Sequence, residues 1–320
     1  MKVLVIKLAA LGDMVQAFAP MARIRAAHPD AEITLLTTPP YGPLAAASPY
    51  VDRVETDGRP GKLGATLAML ARLRRARYDR VYDLQTSSRS SAYFYALLPF
   101  PPKWSGIARG CAHPHRNPDR DDMHTLERQA EQLKDAGIWP DAPTAPGTAP
   151  APDLSWMLEN PSPENRPEYF GLSAPYALLV PGASAARPGK RWPAERYGEL
   201  ARKLAYRGFD VGVIGSKGEK GLADAILAIA HGAKDLTGRT DFVQMAGLGA
   251  RASLFVGNDT GPSHLIAAAG APGLVLFSGE SDPALCAPRG KRVEVLRARH
   301  LGELDVETVE NAAHQIIGAA

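Results

Sequence analysis

The sequence predicts an α/β chain built from two doubly wound parallel sheets, and three observations carry that prediction. Short apolar runs alternate with amphipathic stretches of helix length along almost the whole chain. The alternation breaks once, between Pro140 and Pro167, where prolines recur at 140, 143, 146, 150, 152, 161, 163 and 167, and then restarts. Several of the apolar runs end in Gly-rich turns that open directly into a helix, as strands of open parallel sheets do.

In the first half, Lys2 to Leu8 (KVLVIKL) is a near-continuous apolar strand of the kind buried on both faces. A turn follows over Ala9 to Asp13, then a helix from Met14 to Ala27 with Val15, Phe18 and Ile24 inward and a kink or restart expected at Pro20. Glu32 to Thr37 is the second strand and Val51 to Val54 a short third. Lys62 to Ala76 is a basic amphipathic helix, followed by the strand Arg80 to Leu84 and an aromatic-rich helix from Ser87 to Leu98. Pro99 to Asp122 is expected to be irregular, and Thr125 to Ala136 helical.

The second half repeats the pattern. Strands are expected at Tyr176 to Val180, Phe209 to Ile214, Lys234 to Leu236, Leu254 to Val256, Leu274 to Phe277 and Val293 to Leu296. Helices are expected at Pro193 to Arg207, Lys220 to Ala230, Asp241 to Gly249, Pro262 to Ala269 and Val306 to Ile317. These assign a first domain to 1–150, a Pro-rich linker to 151–172 and a second domain to 173–302. The remaining 303–320 is a C-terminal helix for which packing back on the first domain is one placement.

The 320 residues, 45% hydrophobic and 22% charged, are those of a soluble globular protein. The stretch MKVLVIKLAALGDMV is interrupted by Lys7 and Asp13 and reads as strand and turn rather than a targeting signal. No run is long and apolar enough for a membrane span, so a cytoplasmic location is expected. Cys111 and Cys286 form no metal-ligand spacing and suit idle thiols better than a disulfide. A net charge of +3 permits a phosphate-bearing ligand or an acidic membrane surface without demanding either, and no basic-aromatic run points to nucleic acid.

Four stretches carry chemistry. The run Ser253 to Gly273 (SLFVGNDTGPSHLIAAAGAPG) is strand, Gly-rich turn and helix, with Pro262 in the first helical turn and Gly270 past the last. Such a turn directs backbone N–H groups and the positive end of the helix dipole at one point, which suits a phosphate or diphosphate. It equally suits a helix capped by Asp259 or Thr260. Gly12-Asp13 lies past the first strand, where Asp13 either caps the next helix or serves as a general base. Pro181 to Ser184 and Lys190-Arg191 offer a Gly, a hydroxyl and two cations to a diphosphate, or a solvated basic loop. Glu219, in Gly215 to Glu219, either accepts from ribose hydroxyls or sits at a helix start favoured by the dipole. His264 donates to a phosphate or packs as an ordinary histidine.

Three of these stretches in order, LGDMVQAFAP, PGAS…GKRWPAERY and VGNDTGPSHLIAAAGAP, resemble family 9 glycosyltransferases, the ADP-heptose:lipopolysaccharide heptosyltransferases. The resemblance spans nearly the whole chain. It implies a GT-B architecture, two Rossmann-like domains facing across a cleft, with the acceptor on the first and the donor nucleotide on the second. It further implies inverting transfer of a heptose from an ADP-sugar to a lipopolysaccharide core acceptor, with no cofactor and no obligatory metal. Carried over by position, Asp13 is the general base. Lys190 holds the donor phosphates with Ser184, Thr260, Gly261, Pro262 and His264; Glu219 meets the ribose, and Asp259 orients the turn. The 99–122 stretch matches no family pattern, and its Arg109, Arg116 and Arg120 are candidates for the acceptor surface. Expected partners are therefore a nucleotide-sugar donor and a lipid-linked or glycan acceptor, with peripheral contact to an inner membrane leaflet through Arg72, Arg74, Arg75 and Arg77.

Two other readings remain at this level: a GT-B transferase using a UDP- or GDP-sugar or a non-core acceptor, and a nucleotide-sugar-binding protein of weak catalysis. The presence of Asp13 argues against the second. A Rossmann dehydrogenase would need a G-x-G-x-x-G after the first strand, which is absent.

Overall fold

The computed structural model describes residues 1–159 and 162–318, so Pro161 of the proline series and Ala319-Ala320 of the terminal segment lie outside the described residues. The chain divides into two compact units, Met1–Pro150 and Ala151–Ala320.

In chain order the first unit carries β1 (Lys2–Ile6), α1 (Leu11–Ala27), β2 (Glu32–Leu36), α2 (Gly42–Ala46), β3 (Arg53–Glu55) and α3 (Leu63–Ala76). It continues with β4 (Arg80–Asp83), α4 (Ser88–Ala96), β5 (Lys103–Gly106), β6 (His113–Pro114) and α5 (Thr125–Asp135). The six strands form one sheet in the order β3-β2-β1-β4-β5-β6, with every neighbouring pair parallel. β1 sits at the switch point, and Ile6 pairs with Leu36 on one side and Asp83 on the other. The carboxyl ends of three strands are thereby level, which is where open α/β sheets place ligand groups. Val3, Leu4, Val5 and Ile6 are fully buried, as a central strand covered on both faces requires.

The second unit carries β7 (Tyr176–Val180), α6 (Ala194–Tyr206), β8 (Asp210–Val213), α7 (Lys220–Ile229), β9 (Lys234–Asp235) and α8 (Phe242–Gly249). It continues with β10 (Leu254–Asn258), α9 (Gly261–Ala268), β11 (Gly273–Phe277), α10 (Pro283–Cys286), β12 (Val293–Arg297) and α11 (Val306–Gly318). Its sheet is again six parallel strands, β12-β11-β10-β7-β8-β9, with the switch point between β7 and β10. Each unit is thus a doubly wound, Rossmann-like α/β layer structure. Among the described residues no helix is long and apolar enough to cross a membrane.

Several elements differ from expectation. The 99–122 stretch is not wholly irregular: it supplies β5 and β6 at one side of the first sheet. Pro20 does not restart α1, which runs unbroken from Leu11 with Pro20 buried in it. Asp13 consequently lies inside the first turn of the helix rather than before it. The Pro-rich 151–172 segment belongs to the second unit and is packed rather than free: Leu154, Met157, Phe170 and Leu172 are buried there. The terminal helix α11 also belongs to the second unit. Its Val306, Val309, Ala313 and Ile316 join the core that holds Trp192, Leu200 and Leu274.

Candidate active site

In the second unit the centre of the site is Asn258, the last residue of β10 and fully buried. Its side-chain oxygen accepts from the Trp192 backbone N–H (3.1 Å) and the Tyr197 hydroxyl (3.0 Å). Its amide nitrogen donates to the carbonyls of Pro181 (2.8 Å) and Gly182 (3.3 Å). One amide thus joins the loop after β7, the start of α6 and the turn into α9. Arg191 closes the same loop by donating to the Ala183 carbonyl at 2.7 Å, and the Trp192 indole N–H donates to Leu304 O at 2.9 Å.

This frame presents Lys190. Its ammonium lies 2.6 Å from Asp259 Oδ2, and the two side chains are 12% and 8% exposed. Ser281 donates its hydroxyl to the same Oδ2 at 2.8 Å, and His264 Nε2 lies 3.9 Å from Oδ1. Thr260 occupies the N-cap of α9 but makes no side-chain hydrogen bond to the first turn. Its hydroxyl is therefore not used to close the helix, and the first N–H groups are not capped by it. Gly182 approaches Glu219 so closely that a Cβ there would overlap the carboxylate. Glu219 itself is held by the Ser216 N–H (2.6 Å) and hydroxyl (2.9 Å) in a capping box. The arrangement can neutralise a diphosphate with one lysine and a helix terminus, beside a carboxylate able to accept from hydroxyls.

In the first unit Asp13 accepts from the Ala10 N–H at 3.0 Å, and its other oxygen lies 3.4 Å from the ammonium of Lys7. Lys7 is 3% exposed and also reaches the Leu84 carbonyl at 3.4 Å. Gln85 receives the Leu8 N–H at 2.8 Å, fixing the chain as it leaves β1. Asp83, at the end of β4, is fully buried, and burial pushes its carboxyl up to about 6, against the opposing pull of Ser90, the Thr86 and Gln85 N–H groups and Lys7. The fields of Tyr41 and Arg128 both include Asp13. Burial raises the Tyr41 phenol and lowers the Arg128 guanidinium, the latter also through Arg120.

The model of glycosyltransferase family 9 (heptosyltransferase) matches residues 66–315. This chain belongs to glycosyltransferase family 9. It is therefore a glycosyltransferase. Among curated relatives it is 30% identical over 314 residues to lipopolysaccharide heptosyltransferase 2 of Escherichia coli K12, covering 93% of this chain and 88% of that one. It is 29% identical over 310 residues to the protein of the same name from Salmonella typhimurium, with the same 93% and 88% coverage. Of solved structures, E. coli ADP-heptose lps heptosyltransferase II superposes with a TM-score of 0.83 at 25% identity, over 100% of this chain and 99% of the other. E. coli heptosyltransferase WaaC with ADP shares the fold at a TM-score of 0.76 and 21% identity, over 99% of this chain and 100% of the other.

In this family 9 chain the structure brings Lys190, Asp259 and His264 together at the start of α9, with Thr260, Gly261 and Pro262 in the same turn. Glu219 stands against Gly182 in the neighbouring loop. Ser184 is exposed in the turn that its carbonyl closes with the Arg187 N–H. Arg109 and Arg116 are exposed, whereas Arg120 is tied to Asp121 (2.7 Å) and to His115 Nδ1 (3.5 Å). Sequence reasoning missed Lys7, Gln85, Arg128 and Ser281. A charged residue ending an otherwise apolar strand was a signal for Lys7; nothing local marks the others. Cys111 is a buried thiol, and the Cys286 thiol donates to the Asp282 carbonyl at 3.3 Å.

Proposed function

We propose that this enzyme is an inverting heptosyltransferase that moves a heptose from ADP-heptose to a lipopolysaccharide core acceptor. The observation that carries the reading is the nearly buried Lys190 beside the N-terminus of α9, in a turn whose N-cap side chain is unused. The 30% identity to a lipopolysaccharide heptosyltransferase 2 over most of both chains supports the donor and acceptor class.

The acceptor oxygen attacks the anomeric carbon as the bond to the diphosphate breaks. Negative charge gathers on the departing ADP, and Lys190 together with the α9 N–H groups stabilises it there more than in the bound donor. Asp13 takes the proton of the attacking hydroxyl; its orientation is set by the Ala10 N–H and by Lys7. For Lys190 to reach phosphate it exchanges one anionic partner, Asp259, for another, while Ser281 keeps Asp259 hydrogen-bonded. Glu219 accepts from the ribose hydroxyls. Arg109, Arg116 and Arg120, joined by Arg128, face the acceptor.

Sugar transfer from ADP-heptose to heptose-deficient lipopolysaccharide tests this directly. Wild type is expected to transfer, and Asp13→Ala to lose about 10²–10⁴-fold in kcat while ADP still raises the melting temperature of both. Stabilisation by UDP or GDP but not ADP would replace the donor, and undiminished turnover in Asp13→Ala would remove the base.

A further inference from the structure

We propose that the outer face of α3 and the 97–102 segment beside it form a docking surface for an anionic lipid bilayer. Helix α3 is apolar on the side that should be polar. Leu63 is 76% and Leu67 58% exposed, and they fall with Arg74 on one stripe at i, i+4 and i+11. That stripe is roughly 16 Å long. Arg74 donates to the carbonyls of Ala96 (2.6 Å) and Leu98 (3.0 Å), which fastens the next segment to the end of the stripe. There Phe100 is 91% and Leu98 46% exposed, over a groove of about 630 Å³ lined by Arg74, Arg77, Leu98, Pro99 and Phe100 among others.

Five of the nine exposed large apolar side chains among the described residues, Leu63, Leu67, Tyr95, Leu98 and Phe100, belong to α3, the end of α4 and the segment after it. Scattered exposure needs no explanation, but a concentration of this kind does. The charge left unneutralised on α3 and at its end is positive. Arg72 is consumed by Glu55 (2.8 Å) and Asp57 (2.5 Å), so it is not one of the membrane-facing cations the sequence suggested. Arg74, Arg75 and Arg77 form no ion pair with a carboxylate among the described residues. Apolar side chains next to guanidinium groups that no carboxylate neutralises match the boundary between acyl chains and headgroup phosphates. A second copy of the chain fits poorly, because a two-fold contact through this face would set arginines against arginines.

The inference does not depend on the acceptor, since membrane binding is read without turnover. Flotation with vesicles of phosphatidylcholine alone and of an equal mixture with phosphatidylglycerol tests it, at about 0.1 M salt where screening is moderate. Wild type is expected to float with the mixed vesicles only, and Arg75→Gln and Arg77→Gln to weaken that binding roughly fivefold each. Phe100→Ser and Leu67→Ser are expected to weaken it as well, whereas Tyr206→Ser, equally exposed but on the second unit, is expected to bind as wild type. Unchanged melting temperatures would show that all the variants fold. Failure of wild type to float, equal flotation with both vesicles, or variants indistinguishable from wild type would overturn the proposal. So would a concentration-dependent dimer in sedimentation that Phe100→Ser abolishes, which would assign the face to a second copy.

Discussion

Lys7 is a cation buried just past the carboxyl end of β1, 3% exposed, and it survives there only because anions accompany it. Asp13 at 3.4 Å is one and the buried Asp83 contributes the other. Removing the ammonium by Lys7→Met is expected to cost about 3 kcal/mol or more in urea unfolding at neutral pH. Part of that cost should vanish in an Asp83→Asn background, because the neutral amide no longer needs a counter-charge; a strictly additive double-mutant cycle would show that the two groups do not interact. Asp83 also gives a pH signature of defined sign. Its carboxyl sits at about 6 in the folded protein against 3.8 as the ordinary value, so the folded state holds its proton more tightly than the unfolded one. Stability from this group is full below the lower value and falls as pH rises towards 6, by about 3 kcal/mol for a shift of this size. Asp83→Asn should therefore gain on wild type between pH 4 and pH 7.5. An equal difference at both pH values would contradict it.

At the level of elements, the functional turns are spaces between a strand end and a helix start, and their contents are set by what the backbone leaves room for. The loop after β7 passes against Glu219 at Gly182, where no side chain fits. Gly182→Ala should push the Glu219 carboxylate out of its capping box, costing about 1 kcal/mol of stability. ADP affinity should fall roughly 10- to 100-fold if that carboxylate holds the ribose; a variant with lost stability but full affinity would separate the two roles. Elements of this kind were legible as long as their burial was written in their own residues. β1, β7, β10 and β11 announce themselves as apolar runs, and α9 as a Pro-started, Gly-ended helix. β5 (KWSG) and β6 (HP) do not, because one Trp and a two-residue bridge carry no period. The motif residues around Asp259 were visible for the same reason: they are local. Ser281 and Arg128 approach the Asp259 and Asp13 groups only after folding, from elements 22 and more than a hundred residues away, and no spacing rule encodes that.

Across the whole molecule, the two units have unlike assignments in the proposed reaction, and a ligand should report on one of them. ADP at a hundredfold excess over its Kd should slow amide exchange around residues 182–190, 216–219 and 260–264, by up to about 100-fold where exchange requires loss of the ligand. Residues 8–13 should exchange as before; protection there and not in the second unit would reverse the assignment of donor and base. The placement of α11 bears on how such a chain comes into being. The first unit is one contiguous stretch whose sheet is complete once β6 and α5 have been made. The core of the second includes Val309, Ala313 and Ile316, which are synthesised after every strand of its sheet. At about 5–20 residues per second, roughly 9 to 36 seconds separate the end of α5 from Ile316 of the second core. For the last part of that interval β10 and β11, fully buried strands of the second sheet, wait without the helix that packs against them, and it is then that a chaperone would have the most to hold.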